Sequence, residues 1–206
     1  MTDYFALLEE PRRPWIEPDS LKVKFLGLSA GVHPDRFHAA PEAERQAANA
    51  RYTTLNTAWQ CLRETKDRLR HLLELERGSK PEGIETVPPD FTSMFMEAGQ
   101  FCQEVDRFLL ERSRASSPML RVKMFNQGME WTQRANLLLP RITTQRAALE
   151  AELKTMNPLW DAAPPVGYPK RKASLPLEKL EQVYRRWSYV SRWVGQLQER
   201  VVQLSL

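Results

Sequence analysis

Leu180, Trp187, Val194 and Val201 recur at seven-residue steps, and Val183, Val190, Leu197 and Leu204 form a second row three residues on. Two apolar rows kept in phase over this length call for an α-helix that buries a broad face against other helices, as in a bundle or coiled-coil seam. The rest of the chain agrees. Helical spacing returns in Tyr4, Leu7 and Leu8, in Leu21, Phe25 and Leu28, in Leu55, Ala58, Trp59 and Leu62, and in Leu69, Leu72 and Leu73. No Asn-Gly hairpin turn or sustained β-branched alternation opposes it. The expected fold class is all-α.

Local chemistry sets the boundaries. Asp3 suits the entrance of the first short helix, and Pro18, with Glu17 and Asp19, opens the second. Gly31 is the expected stop of that second helix. A third helix begins near Pro41 and a brief fourth follows it. Residues 78–89 hold Pro81, Gly83, Pro88 and Pro89 and read as a linker. Beyond it, Phe91, Phe95, Ala98, Cys102 and Val105 build a new stripe, widened by Met94, Phe101 and Phe108. A helix from about 119 to 139 is expected to end at Pro140, with another over 141–156. Asn157–Pro176 carries five prolines and Gly167 and reads as a mobile loop. The expected organisation is therefore residues 1–77, a helical hairpin with short flanking helices; 78–89, a linker; and 90–206, a three-helix-type bundle.

Composition narrows the class. With 206 residues the chain suits one or two small domains. No apolar run approaches the roughly 18 residues that span a bilayer, and the start lacks a basic and apolar secretory signal. Cys61 and Cys102 are too few for a disulfide framework or a structural zinc site. A soluble, cytoplasmic protein is expected. Of the net charge of +4, the segment from Tyr168 onward carries +5, leaving −1 for residues 1–167. The basic excess therefore belongs to one terminal segment.

The sharpest motif is His33-Pro34-Asp35-Arg36-Phe37, between the second and third helices. Pro34 keeps His33 out of the preceding helix, so the tripeptide must form an exposed connector. Asp35 can there accept a charge-assisted hydrogen bond from a partner's arginine. Taken alone, such a short motif is better explained as a plain helix–helix turn.

The surrounding sequence supplies context. A short helix, a longer one, His-Pro-Asp, a long third helix and a short fourth resemble a J-domain, the co-chaperone module that stimulates ATP hydrolysis by DnaK-type chaperones. Asp3-Tyr4-Phe5-Ala6-Leu7-Leu8, the His33–Phe37 motif and Leu55-Asn56-Thr57-Ala58-Trp59-Gln60-Cys61-Leu62-Arg63 are together similar to the HscB family. So are Met94-Phe95-Met96-Glu97, Arg121-Val122-Lys123-Met124-Phe125 and Arg185-Arg186-Trp187-Ser188-Tyr189-Val190, which match its C-terminal bundle. Residues 140–175 are largely unmatched. The resemblance implies a co-chaperone that brings the iron–sulfur cluster scaffold protein to a DnaK-type chaperone, HscA, and holds no cofactor or metal. It implies chaperone contacts at His33, Pro34 and Asp35, with Arg36, Lys22, Lys24 and Arg68 as accessory cations. J-domains usually carry more basic residues before the tripeptide than Lys22 and Lys24 supply. The zinc module and Gly/Phe-rich linker of general DnaJ proteins are missing, which favours a dedicated co-chaperone.

For the client, the resemblance implies a patch at Phe95, Met96, Gly99, Gln100, Gln103 and Tyr189. Gly99 stands where the family has leucine, and Gln100 and Gln103 where it has acids. Core packing is the competing explanation for Phe95, and also for Tyr189, which is off both seam rows but pairs with Trp193 at i, i+4. Met96 lies off the Phe91–Phe95–Ala98 stripe and is expected at the surface.

Three rival readings remain. An enzyme would need a nucleophile, base or metal cluster, and only His33, His38 and His71 are present, with no H-E-x-x-H, G-x-S-x-G or P-loop; none is expected. A nucleic-acid binder could use Lys170-Arg171-Lys172 and the last helix, with steeply salt-dependent affinity. A J-domain protein serving a different client and a general DnaK is the third.

Overall fold

The computed structural model describes residues 1–81 and 87–205, so residues 82–86 of the expected linker lie outside the described residues. Among the described residues there is no strand. The helices are α1 (Tyr4–Leu7), α2 (Pro18–Gly31), α3 (Glu42–Arg63), α4 (Thr65–Arg77), α5 (Thr92–Ser113), α6 (Pro118–Asp161), α7 (Arg171–Ser174) and α8 (Leu177–Ser205). None of them is long and apolar enough to cross a membrane. The chain divides into two compact units, one of Met1–Glu82 with Glu152–Tyr184, the other of Gly83–Ala151 with Arg185–Leu206.

In the first unit Asp3 caps α1, its Oδ1 accepting the N–H groups of Phe5 (3.0 Å) and Ala6 (3.2 Å). Phe5, Leu8 and Ile16 are fully buried with Leu21 of α2, Leu62 of α3, and Leu69, Leu72 and Leu73 of α4. Phe25 stacks on Trp59 at 4.9 Å between centroids, joining α2 to α3. Gly78 ends α4 at φ 82°, a left-handed cap whose N–H reaches the Glu74 carbonyl. α2 does end at Gly31, as expected, but by another geometry. The glycine is the last residue of α2 without a positive φ, and Val32 closes the helix with an N–H bond to Ser29. The constraint that Pro34 places on His33 keeps the chain from resuming the helix beyond Val32.

Two expectations about the second half are corrected. Pro140 does not end a helix: α6 runs through it from Pro118 to Asp161. An interior proline costs about 3 kcal/mol. Ala135, Leu138, Ile142 and Leu149 are all buried on either side, at about 2 kcal/mol for each large side chain, and outweigh it. The expected loop at 157–176 is shorter, because α6 continues to Asp161 and α7 begins at Arg171, leaving mostly exposed residues 162–170 between them; residues 152–184 belong to the first unit rather than to a 90–206 domain. Asn157 holds the backbone of Trp15 from both sides, accepting its N–H and donating to its carbonyl, each at 2.9 Å. Arg171 of α7 is buried against Glu76 of α4 through two hydrogen bonds of 2.9 and 2.7 Å. Leu153, Met156, Trp160, Leu175, Leu177 and Leu180 supply the apolar side of this packing.

The second unit is built from α5 with the parts of α6 and α8 that it contains. Phe91, Ala98, Phe101, Cys102, Val105 and Phe108 bury the α5 side. Trp187, Val190, Val194, Leu197 and Leu204 are buried on the seam rows of α8, with Val201 half-buried. Arg112 donates to the carbonyls of Leu204 (3.0 Å) and Gln203 (2.7 Å), satisfying the end of α8.

Candidate functional site

His33 precedes a short 3-10 turn, Pro34–Phe37, that links α2 to α3. Proline is tolerated at the start of such a turn because its missing N–H has no partner to satisfy there. The histidine is braced from two sides. Its Nδ1 accepts the Asp35 N–H at 3.3 Å, and its ring meets Tyr52 of α3 edge-on, 5.2 Å between centroids. The Arg36 N–H bonds the His33 carbonyl at 3.0 Å, and His38 Nδ1 lies 2.8 Å from the Asp35 carbonyl oxygen. The turn therefore holds its shape through its own hydrogen bonds and the Tyr52 ring.

The Asp35 side chain is left 89% exposed, its Oδ2 lying 3.5 Å from Nδ1 of His33. An exposed carboxylate on a braced turn can accept both N–H groups of a guanidinium, the strongest simple polar contact a partner can make. Its position is fixed before a partner arrives, which lowers the ordering cost of docking.

The accessory cations differ in what they can do. Lys22 is exposed on α2. Lys24 is engaged, its Nζ 2.7 Å from Glu10 and donating to the Glu9 carbonyl at 2.9 Å. Arg36 is exposed, and its Nη1 donates to the Ala30 carbonyl at 3.2 Å, tying the turn to the end of α2. Arg68 is a correction. It is 2% exposed, donates to the carbonyls of Pro14 and Leu62 and to the Thr65 hydroxyl, and lies over the Trp15 ring. A guanidinium so enclosed is a scaffold for the loop at Pro14 and is not available to a chaperone. The Lys170-Arg171-Lys172 triplet shrinks in the same way, because Arg171 is buried and Lys172 donates to the Arg77 carbonyl.

The expected client residues also separate. Met96 is 64% exposed, Phe95 40%, and Gln100 and Gln103 are exposed, while Gly99 is half-buried. Phe95 rests partly on Trp193, 6.2 Å between centroids. Tyr189 is the second correction. It is 5% exposed and packs on Trp193, which also meets Phe91. Tyr184, Ser188, Tyr189 and Trp193 widen the buried face of α8 beyond its two seam rows. Tyr189 is core, so the exposed patch lies on α5 alone.

Burial pushes the Cys61 thiol up to about 11 and raises Cys102 as well, so neither thiol is activated. Burial also holds His71 below the usual histidine range, and its Nε2 accepts the Tyr4 N–H. Among the described residues no group of three or more His, Cys, Asp or Glu side chains could hold a metal ion.

Sequence reasoning passed over Tyr52, which braces His33, and the outer face of α2. The second was legible by subtraction. With Leu21 and Phe25 facing inward, Val23 and Leu26 must face out.

Among solved structures, the chain is similar to chaperone HscB from Vibrio cholerae over 100% of both chains, at 18% sequence identity and a TM-score of 0.58. It is similar to human co-chaperone protein HscB over 97% of this chain and 82% of that one, at 17% identity and a TM-score of 0.55. No protein-family model matches the chain. The chain has the HscB fold.

Proposed function

With the HscB fold as the premise, we propose that this chain is a J-domain co-chaperone that stimulates ATP hydrolysis by a DnaK-type chaperone of the HscA kind and delivers the iron–sulfur cluster scaffold protein to it. The observation that carries this reading is the exposed Asp35 carboxylate beside a braced His33, on a connector held between α2 and α3. Asp35 takes an arginine of the chaperone, and His33 and Pro34 fix the turn around it. The chain acts by binding and orienting two proteins. It has no catalysis of its own, and the nucleotide and the cluster belong to its partners. Its place of action is the cytoplasm.

The scaffold protein docks on α5 through Met96 and the exposed edge of Phe95, with Gln100 and Gln103 as neutral hydrogen-bonding neighbours. Gly99 leaves a low point in this patch. A second reading keeps the chaperone contact but gives the α5 patch a different client and pairs the J-domain with a general DnaK. The burial of Tyr189 favours it, because it removes an aromatic anchor from the client surface.

The test is single-turnover ATP hydrolysis by an HscA-type chaperone and by a general DnaK, each with this chain and with or without the scaffold protein. Stimulation confined to the HscA-type chaperone and raised by the scaffold is expected. Stimulation of the general DnaK alone would move the assignment to the second reading, and stimulation of neither would refute both.

A further inference from the structure

The first three turns of α6, in the second unit, expose a run of large apolar side chains. Met119 is 87%, Val122 63%, Phe125 66% and Met129 47% exposed. At about 100° per residue these four share one face of the helix, at i, i+3, i+6 and i+10. Asn126 is the polar residue on that face, and Glu130 stands at its far end. Packing within the bundle does not account for the stripe. The inner side of α6 here is the other one, where Met124 is half-buried and Gly128 is buried. A Cβ on Gly128 would lie 3.8 Å from the Phe108 ring and 3.9 Å from the Leu204 carbonyl.

The charge around the stripe has one sign. Residues 112–129 hold Arg112, Arg114, Arg121 and Lys123 and no acid. Arg114, Arg121 and Lys123 are exposed. Arg121 and Lys123 lie about a quarter-turn to either side of the stripe, so both of its edges are cationic. Beside Phe125 and Met129, at the end of α8, opens a hollow of about 670 Å³ whose charged lining residues, Arg112 and Arg121, are also cations.

An apolar face edged by cations on both sides suits a helix lying in a membrane interface. Its apolar side chains enter the acyl boundary, while the Arg and Lys stems run along it and keep their charges at headgroup level. Anionic headgroups complement the cations. A second copy fits less well, because a two-fold contact would set these cations against their own images. We propose that the start of α6 docks on an anionic lipid surface, with the Met119–Val122–Phe125–Met129 stripe entering the interface and Arg121 and Lys123 meeting the phosphate headgroups. The contact is peripheral, since no helix among the described residues is long and apolar enough to cross a membrane. It is reversible, because one short stripe with a few charges anchors weakly. It makes no use of the His33–Asp35 connector.

The experiment floats the full chain with vesicles of phosphatidylcholine alone, or of phosphatidylcholine with about 30% phosphatidylglycerol, in about 50 mM potassium chloride. The anionic vesicles should carry at least about fivefold more protein than the neutral ones, and about 500 mM salt should release most of it. Phe125→Asp should lower the bound fraction about fivefold or more, and so should Arg121→Gln combined with Lys123→Gln. Leu159→Asp makes the same kind of change on an exposed side chain of the first unit and should leave binding within about twofold. All four side chains are exposed, so the thermal midpoint should hold in every variant. Equal recovery on neutral and anionic vesicles, no recovery on either, or indifference to Phe125→Asp would overturn the proposal. Sedimentation without lipid supplies the remaining arm: a dimer abolished by Phe125→Asp would assign the stripe to a second copy and overturn its assignment to lipid.

Discussion

Arg171→Ala tests how the segment between α6 and α8 is held. The Arg171 guanidinium donates to both carboxylate oxygens of Glu76, at 2.9 and 2.7 Å, and to the Pro164 carbonyl at 2.7 Å. The two side chains are only 9% and 2% exposed. Breaking one partner of a buried ion pair costs about 3–5 kcal/mol, mostly because the remaining charge is stranded. Arg12 lies 3.7 Å from Glu76 and retains part of the compensation, so a loss of about 3 kcal/mol is expected, at the low end of that range. In urea, at a slope of about 2 kcal/mol per molar, the unfolding midpoint of the full chain should drop by about 1.5 M. Replacing both residues by methionine strands no carboxylate and should recover most of the loss. Far-UV circular dichroism reads both variants. A midpoint shift under about 0.3 M for Arg171→Ala would refute the argument that this buried pair fixes the segment.

Tyr189→Ala should lower stability by about 3 kcal/mol in urea unfolding and leave scaffold affinity per folded molecule unchanged, because the ring is buried; a loss of affinity with intact stability would return it to the surface. Met96→Asp should do the opposite, weakening scaffold binding by more than about 1 kcal/mol in calorimetry at an unchanged unfolding midpoint. Stability should also fall as the pH drops below about 6.5, the range in which an unfolded histidine takes up its proton. Burial depresses the folded-state pKa of His71, and protonation would remove the acceptor for the Tyr4 N–H, so its contribution is fully present above that range and lost below it. Urea midpoints between about pH 7.5 and 5 should show a smaller decline in His71→Gln; an equal decline would exclude His71 as a source.

Much of the architecture was readable because local and tertiary demands agree. The two rows of α8, the Asp3 cap, the proline start of α2 and the leucines of α4 each carry their periodicity in the chain itself. Pro140 misled because local cost is visible in sequence, whereas the burial of Leu138 and Ile142 that offsets it depends on other helices. Arg68 and Arg171 misled for a related reason. A basic residue reads as solvated until a distant acceptor is known, here the Pro14 carbonyl and the Glu76 carboxylate. Tyr189 was placed by heptad arithmetic outside both rows, but a helix carrying Tyr184, Ser188 and Trp193 buries more than two rows. The His33–Asp35 connector was legible because proline dictates its backbone locally. Its bracing by Tyr52 was not, since that contact spans a helix hairpin.

The most direct test of the account is the effect of His33→Gln on single-turnover ATP hydrolysis by the HscA-type chaperone, measured beside the variant's thermal midpoint. The His33 side chain is 42% exposed, so the substitution should leave the midpoint nearly unchanged, a surface effect within about 0.5 kcal/mol. Stimulation should be abolished. Full stimulation by a correctly folded His33→Gln chain would contradict the claim that this connector is the chaperone contact.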